Sequence, residues 1–247
     1  TVSVDFQGHS AWLYGTRAAG AGGLPAGVQG RAVALLSGGF DSPVAAWQVM
    51  RRGVELDFVF CNLGGRAHER MVLQVAKVLS ERWCYGLAPR FYAVDFTGLL
   101  DELRGVVRTD YWQIVLKRLM YRAACLVARE TGAQAIVTGE ALGQVSSQTL
   151  SNLNSIDSAA SLPVLRPLIG SDKQDLIDAA RRIGTAPLSE RMKEYCAIVP
   201  RRPATSSRRP YIEREEAKLD LTRLGAAVRA AKVIDLNAVT AVDLRAP

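Results

Sequence analysis

The sequence predicts an α/β protein built on a doubly wound, mostly parallel sheet with helices on both faces, and three observations carry that reading. Short apolar runs of strand character alternate with longer segments whose apolar residues recur at helical spacing. Helical segments close on glycine, at Gly53, Gly132 and Gly184. The first apolar run feeds a turn of two glycines, two serines and an aspartate, from which a helix begins at once. The 247 residues, 49% hydrophobic, suffice for one large domain or two small ones with a substantial core. No apolar run approaches the ~20 residues of a membrane-spanning helix, so no membrane association is expected.

In order, "RAVALL" (31–36) reads as a buried strand, and "PVAAWQVMRRG" (43–53) as a helix with Pro43 in its first turn. "VELDFVF" (54–60) is the next strand. A helix over 67–83 follows, with Val72, Val75, Ala76 and Leu79 on one face. "RFYAVDF" (90–96) is a strand, 111–130 a long helix, and "AQAIVTG" (133–139) a strand that stops on glycine. The polar "EALGQVSSQTLSNLNSI" (140–156) is expected to be partly helical. "SDKQDLIDAARRIG" (171–184) carries a capping box, Ser171 with Gln174, ahead of a helix. Residues 1–30, with seven glycines, read as a connector containing two short strand-like pieces; 31–200 form the main domain. Residues 201–247 comprise a basic loop, an amphipathic helix over 211–232 and a tail or linker.

The balance of 31 Lys and Arg against 24 Asp and Glu leaves +7, which favours an anionic partner. The pairs Arg181-Arg182, Arg201-Arg202 and Arg208-Arg209 suit RNA phosphates, and equally suit a solvated surface. The four cysteines, Cys61, Cys84, Cys125 and Cys196, lie far apart without a CxxC pair. Neither a zinc site nor a disulfide framework is indicated, and a reducing, cytoplasmic setting is expected.

The turn "SGGFDS" (37–42) carries the chemistry. In open parallel sheets ligands bind beyond the carboxyl ends of strands. A glycine-rich turn exposes backbone N–H groups there, the helix start adds positive potential, and Ser37 and Ser42 add hydroxyls. Asp41 departs from a Walker loop; an acid beside phosphates makes sense if it holds a divalent cation or orients the reacting groups. Taken alone, the same residues also suit an ordinary helix cap.

This S-G-G-x-D-S pattern between strand and helix resembles the PP-loop of the ATP pyrophosphatases, which split ATP to AMP and pyrophosphate. "GGLPAGVQG", "FCNLGGRAHE", "VLKRLMYRAA", "TGEALGQVSSQTL", "LRPLIGSDKQDLI" and "MKEYCAIVPRRP" follow in the order of the catalytic domain of the tRNA 4-thiouridine synthetases (tRNA sulfurtransferases). The likeness runs over about 22–235. It implies adenylation of O4 of the uridine at tRNA position 8 by ATP with Mg²⁺. Sulfur then replaces that oxygen, delivered by a persulfide donor (a cysteine desulfurase or rhodanese-like domain), with a link to thiamine thiazole synthesis and room for a homodimer.

The resemblance also implies roles. Leu35 and Leu36 flank the nucleotide through their backbone; Ser37, Gly38, Gly39 and Ser42 cradle pyrophosphate, with Asp41 essential. Lys117, Gly139 and Gln148 contact ATP, and Lys173 neutralises phosphate charge. Cys196, among basic residues that favour its thiolate, attacks the persulfide. On residue type alone, Lys117 with Arg118 and Arg122 reads as a solvated basic edge, Lys173 as a surface lysine paired with Asp172 or Asp175, and Cys196 as a small buried hydrophobe. Cys61, Cys84 and Cys125 are expected to be such hydrophobes. No rhodanese-like domain follows Pro247 and the family's N-terminal RNA-binding region is lacking, so a shortened chain or an external sulfur carrier is expected. A different PP-loop enzyme with a small-molecule acceptor, or a nucleotide- or RNA-binding module without turnover, are the alternatives.

Overall fold

The computed structural model describes residues 1–192, 202–240 and 243–244. In chain order the strands are β1 (Ser3–Gln7), β2 (Ser10–Tyr14), β3 (Arg31–Leu35), β4 (Glu55–Asn62), β5 (Arg90–Asp95), β6 (Ala135–Val137), β7 (Val164–Leu165) and β8 (Lys232–Asp235). The helices are α1 (Asp41–Met50), α2 (Gly65–Trp83), α3 (Thr97–Val106), α4 (Trp112–Thr131), α5 (Leu150–Asp157), α6 (Lys173–Ile183), α7 (Ala186–Ser189), α8 (Arg209–Glu216) and α9 (Leu221–Arg229).

Strands β3 to β8 form one sheet in the order β7-β6-β3-β4-β5-β8. All neighbours run parallel except β5 and β8. Strand β3 is central and buried on both faces, which is why "AVALL" is continuously apolar instead of alternating. Ala32 and Ala34 face a core shared with α1, α2 and α6, while Val33 between them faces a second core under α3, α4, α8 and α9. Helices therefore cover both sides, as a doubly wound sheet requires.

From β3 the chain steps through β4 to β5, then crosses to β6 and β7 on the other side of β3. The order reverses between β3 and β6, and the crevice beyond their carboxyl ends is where such sheets receive ligands.

Three local expectations are corrected and one helix is added. Helix α6 starts one residue later than the capping box required: Asp172 is its N-cap, without a side-chain bond, and Gln174 reaches Asp178 instead. The helix expected over 211–232 is two helices, α8 and α9, the second capped by Asp220 accepting from the Thr222 N–H at 2.9 Å. The expected tail contains β8, pairing Ile234 with Phe91. Helix α3 adds to the predicted elements, burying Leu99, Leu100 and Leu103. The first residues form an exposed antiparallel hairpin, β1 with β2.

Candidate functional site

The turn from β3 into α1 is shaped by its own side chains. Leu36 remains in the sheet, its N–H donating to the Val59 carbonyl at 2.9 Å, and its side chain is buried. At Ser37 the chain leaves the strand; its N–H donates to Ser42 Oγ at 3.0 Å, and the two hydroxyls lie 3.2 Å apart. One serine thus staples the first residue of the turn to the first turn of α1. Gly38 has φ +85°, a region that favours glycine, and a β-carbon there would meet Met192 Sδ at 2.1 Å. His68, packed edge-on against Phe60, lies 3.3 Å from the Ser37 carbonyl; burial disfavours its charged form against that bond. Ser189 Oγ donates to the Gly39 carbonyl at 3.3 Å. No side chain caps α1, whose first residue is Asp41.

The second wall comes from the chain leaving β6. A β-carbon on Gly139 would lie 2.6 Å from the Ser42 nitrogen and 2.7 Å from the Asp41 carbonyl carbon. The close approach at this glycine is therefore made by α1's own backbone. Beyond it, Gln144 Nε2 donates to Asp41 Oδ2 at 3.1 Å. Gln148 ends a single 3₁₀ turn (Ser146–Gln148), and its Oε1 is buried without a hydrogen-bond partner among the described residues. That turn is held by Asn152 Nδ2, which donates to the carbonyls of Ser146 and Ala204 at 2.7 and 2.9 Å. An acceptor buried without a donor costs free energy, so Gln148 is poised for an N–H from outside.

Lys117 is half-buried rather than standing on an open basic surface. Its Nζ donates to Glu140 Oε1 at 2.7 Å. Glu140 also accepts from Arg166 Nε at 2.8 Å, from Thr138 Oγ1 at 3.2 Å and from the Tyr121 hydroxyl. Burial alone would raise the pKa of Glu140, but Lys117, Tyr121 and Arg166 hold it down to about 2. Arg118 and Arg122, expected on the same basic edge, instead share the buried carboxylate of Glu216 at 2.6 and 2.8 Å. Tyr121 and Arg166 lie within the motifs "VLKRLMYRAA" and "LRPLIGSDKQDLI" without standing out there, and Asp157 lies in none, because only the fold brings α4, α5 and the ends of β6 and β7 together.

Lys173 is the first residue of α6 and exposed, with no ion pair to Asp172 or Asp175. Cys196 and Arg201 lie outside the described residues. Cys61, Cys84 and Cys125 are buried as expected; burial pushes the Cys61 thiol up, and the Cys84 thiol to about 12. Of the basic pairs, Arg181 is tied to Asp178 and Arg209 to Glu213, both at the surface. Among the described residues no three His, Cys, Asp or Glu side chains gather to hold a metal ion. No helix is long and apolar enough to cross a membrane.

A serine- and glycine-rich turn from a central parallel strand into a helix, at the switch point of a doubly wound sheet, defines an α/β protein of the PP-loop type. Residues 27–221 match the family described as "Thiamine biosynthesis protein (ThiI)", and the chain belongs to that family. The tRNA sulfurtransferase of Desulfurococcus amylolyticus is 44% identical over 98% of this chain and 51% of its own length. That of Serratia proteamaculans is 43% identical over 97% of this chain and 50% of its own length. The chain thus spans about half the length of these relatives. A crystal structure described as a 4-thiouridine synthetase–RNA complex with bound ATP superposes with a TM-score of 0.87 at 38% identity, covering 94% of this chain and 62% of the other. NMN synthetase from Francisella tularensis shares the fold, with a TM-score of 0.51 at 10% identity over 81% and 84% of the two chains.

Proposed function

We propose that this chain is the ATP-using portion of a tRNA sulfurtransferase. It adenylates O4 of the uridine at tRNA position 8, releasing pyrophosphate. The terminal sulfur of a protein persulfide then attacks C4, and AMP leaves with the oxygen. Cys196, as thiolate, attacks the bridging sulfur; the C4 sulfur is released as 4-thiouridine and a disulfide remains. The single observation that carries this reading is the Ser37–Ser42 turn at the β3/β6 switch point, backed by Gly139.

The residues divide the work physically. The backbone N–H groups at the uncapped start of α1 face anionic charge favourably, and Gly39, whose would-be β-carbon meets Ser37 Oγ at 3.8 Å, adds no side chain of its own between a phosphate and the main chain. Lys173, exposed at the first position of α6 and without an ion pair among the described residues, neutralises charge that grows on the departing pyrophosphate. Gln148 Oε1 accepts an N–H of the nucleotide, while Leu35 and Leu36 line it through backbone at the strand end. Mg²⁺ is commonly held by one or two carboxylates plus substrate phosphates rather than by an all-protein cage. Asp41 alone at the turn fits that arrangement; the ion would screen the phosphates that the acid otherwise repels. A cytoplasmic setting, a homodimer and a contribution to thiamine thiazole sulfur are consistent extensions of the same chemistry.

The test is release of AMP from α-labelled ATP with Mg²⁺ and unmodified tRNA, run beside a transcript lacking the target uridine. Turnover is expected to need both tRNA and that uridine, and Asp41→Asn is expected to lower it at least a hundredfold. AMP release indifferent to tRNA would overturn the thiolation reading.

A further inference from the structure

The phosphate-cradling turn leaves a buried acid unexplained. Glu140 directly follows Gly139, the glycine that abuts the Asp41–Ser42 backbone, and is 5% exposed. Its carboxylate offers about four acceptor positions, matched by four donors: Lys117, Arg166, Tyr121 and Thr138. The two cations differ in kind. Arg166 is locked between two acids, Glu140 and Asp157, with its Nη1 3.1 Å from Asp157 Oδ2, and its side chain is 12% exposed. Lys117 has Glu140 alone among the described residues, and at 24% exposure its side chain reaches the solvent edge.

A buried carboxylate needs one cation to balance it. Here Glu140 has two, Lys117 and Arg166, and Arg166 has a second acid in Asp157, which is 43% exposed. The four groups balance, two cations against two acids, so Glu140 keeps Arg166 as its countercharge when an incoming anion draws Lys117 away. A lysine stem is flexible, and one already held near its working place loses less freedom when a ligand arrives. Tyr121, one helical turn beyond Lys117 on α4, shares the same face and fixes the second carboxylate oxygen.

We propose that Glu140 is a positioning residue: with Arg166 as its fixed countercharge, it holds the Lys117 ammonium ready for the phosphates of ATP and stays paired when Lys117 turns to them. This deepens the ATP-binding reading above and rests on it.

The test is ATP affinity by equilibrium titration, with thermal midpoints alongside, for the wild type, Lys117→Met, Glu140→Gln and the double variant. Lys117→Met is expected to weaken ATP binding at least tenfold, and Glu140→Gln fivefold to tenfold. The double variant should bind no worse than Lys117→Met alone, because Glu140 acts only through that lysine. Glu140→Asp keeps the charge but withdraws it by one methylene and carries the same expectation, so a folding failure of the amide leaves the test intact. Multiplying losses in the double variant, or losses that track the thermal midpoint whether or not Lys117 is present, would reduce Glu140 to a structural role and overturn the proposal. Tighter ATP binding by Glu140→Gln would overturn it too, by making the acid a brake on Lys117. ATP affinity unchanged between the wild type and Lys117→Met sinks this proposal alone, whereas a wild type that binds no ATP sinks the wider reading with it.

Discussion

At the scale of the residue, the site depends on atoms that are missing. Gly139 is required by contact, not by an unusual backbone angle: an added β-carbon would fall 2.6 to 2.7 Å from three atoms of the Asp41–Ser42 backbone, none of which can rotate away. Gly139→Ala is therefore expected to push the start of α1 from the end of β6. The cost should be about 1–3 kcal/mol, as for other overpacked interiors, with ATP affinity falling at least tenfold. Gly105 is the matched control. It lies exposed within α3, with nothing within 4 Å of its would-be β-carbon. Gly105→Ala should stabilise by up to about 1 kcal/mol, because alanine favours the helix, and should leave ATP affinity unchanged. Urea unfolding and an ATP titration on both variants check the contrast; equal effects at the two positions would refute it.

At the scale of the element, buried charge ties together pieces that also share the apolar core. Arg118, 1% exposed, reaches Glu216, 98 residues further on, and ties α8 to α4. Burial alone would raise the pKa of Glu216; hydrogen bonds from Arg122 and Arg118 outweigh it and hold it below the usual range. The Glu140 cluster does the same for α4, α5 and the ends of β6 and β7, and its pH dependence has a definite sign. The folded carboxyl has a pKa of about 2 against 4.5 ordinarily, so the unfolded chain binds its proton first as pH falls. The stability from Glu140 is then fully present above about pH 5 and lost progressively down to about pH 2. Over that window the slope approaches ~1.4 kcal/mol per pH unit. Glu140→Gln should be less stable than the wild type at pH 7, with the gap closing on acidification. Urea midpoints from pH 7 to 2.5 measure this, and a gap independent of pH would contradict it.

At the scale of the whole molecule, the parts legible in the sequence are those whose environment is the same on both sides. Strands β3, β4 and β5 are buried on two faces, so their apolar runs announce them, and the Gly-Gly-x-Asp-Ser turn stands out because its glycines and acid interrupt such runs, although an ordinary helix cap would use the same residues. The rest depends on distant partners. Arg118 and Arg122 look like a solvated helix edge until α8 arrives with Glu216. Arg166 and Asp157 acquire meaning only when β7 is laid beside β6. Strand β8 is an exposed edge whose four residues show no apolar alternation, and it exists through pairing with β5. Beyond it Leu236 is fully buried in the core shared with α2, its carbonyl taken by Lys77 Nζ at 2.8 Å and its N–H donated to the Pro89 carbonyl at 3.1 Å. A linker would not be fastened at three points. Leu236→Ala is accordingly expected to cost about 2–5 kcal/mol, as a large-to-small change in a packed core. The denaturation midpoint should fall with little change in slope. ATP affinity should hold, because β8 is at the edge of the sheet and three strands separate it from the β3/β6 switch point. If the substitution were neutral, the segment after α9 would have to be a tail resting on the surface; if it abolished ATP binding while the fold persisted, edge and switch point would have to be mechanically coupled through β4 and β5.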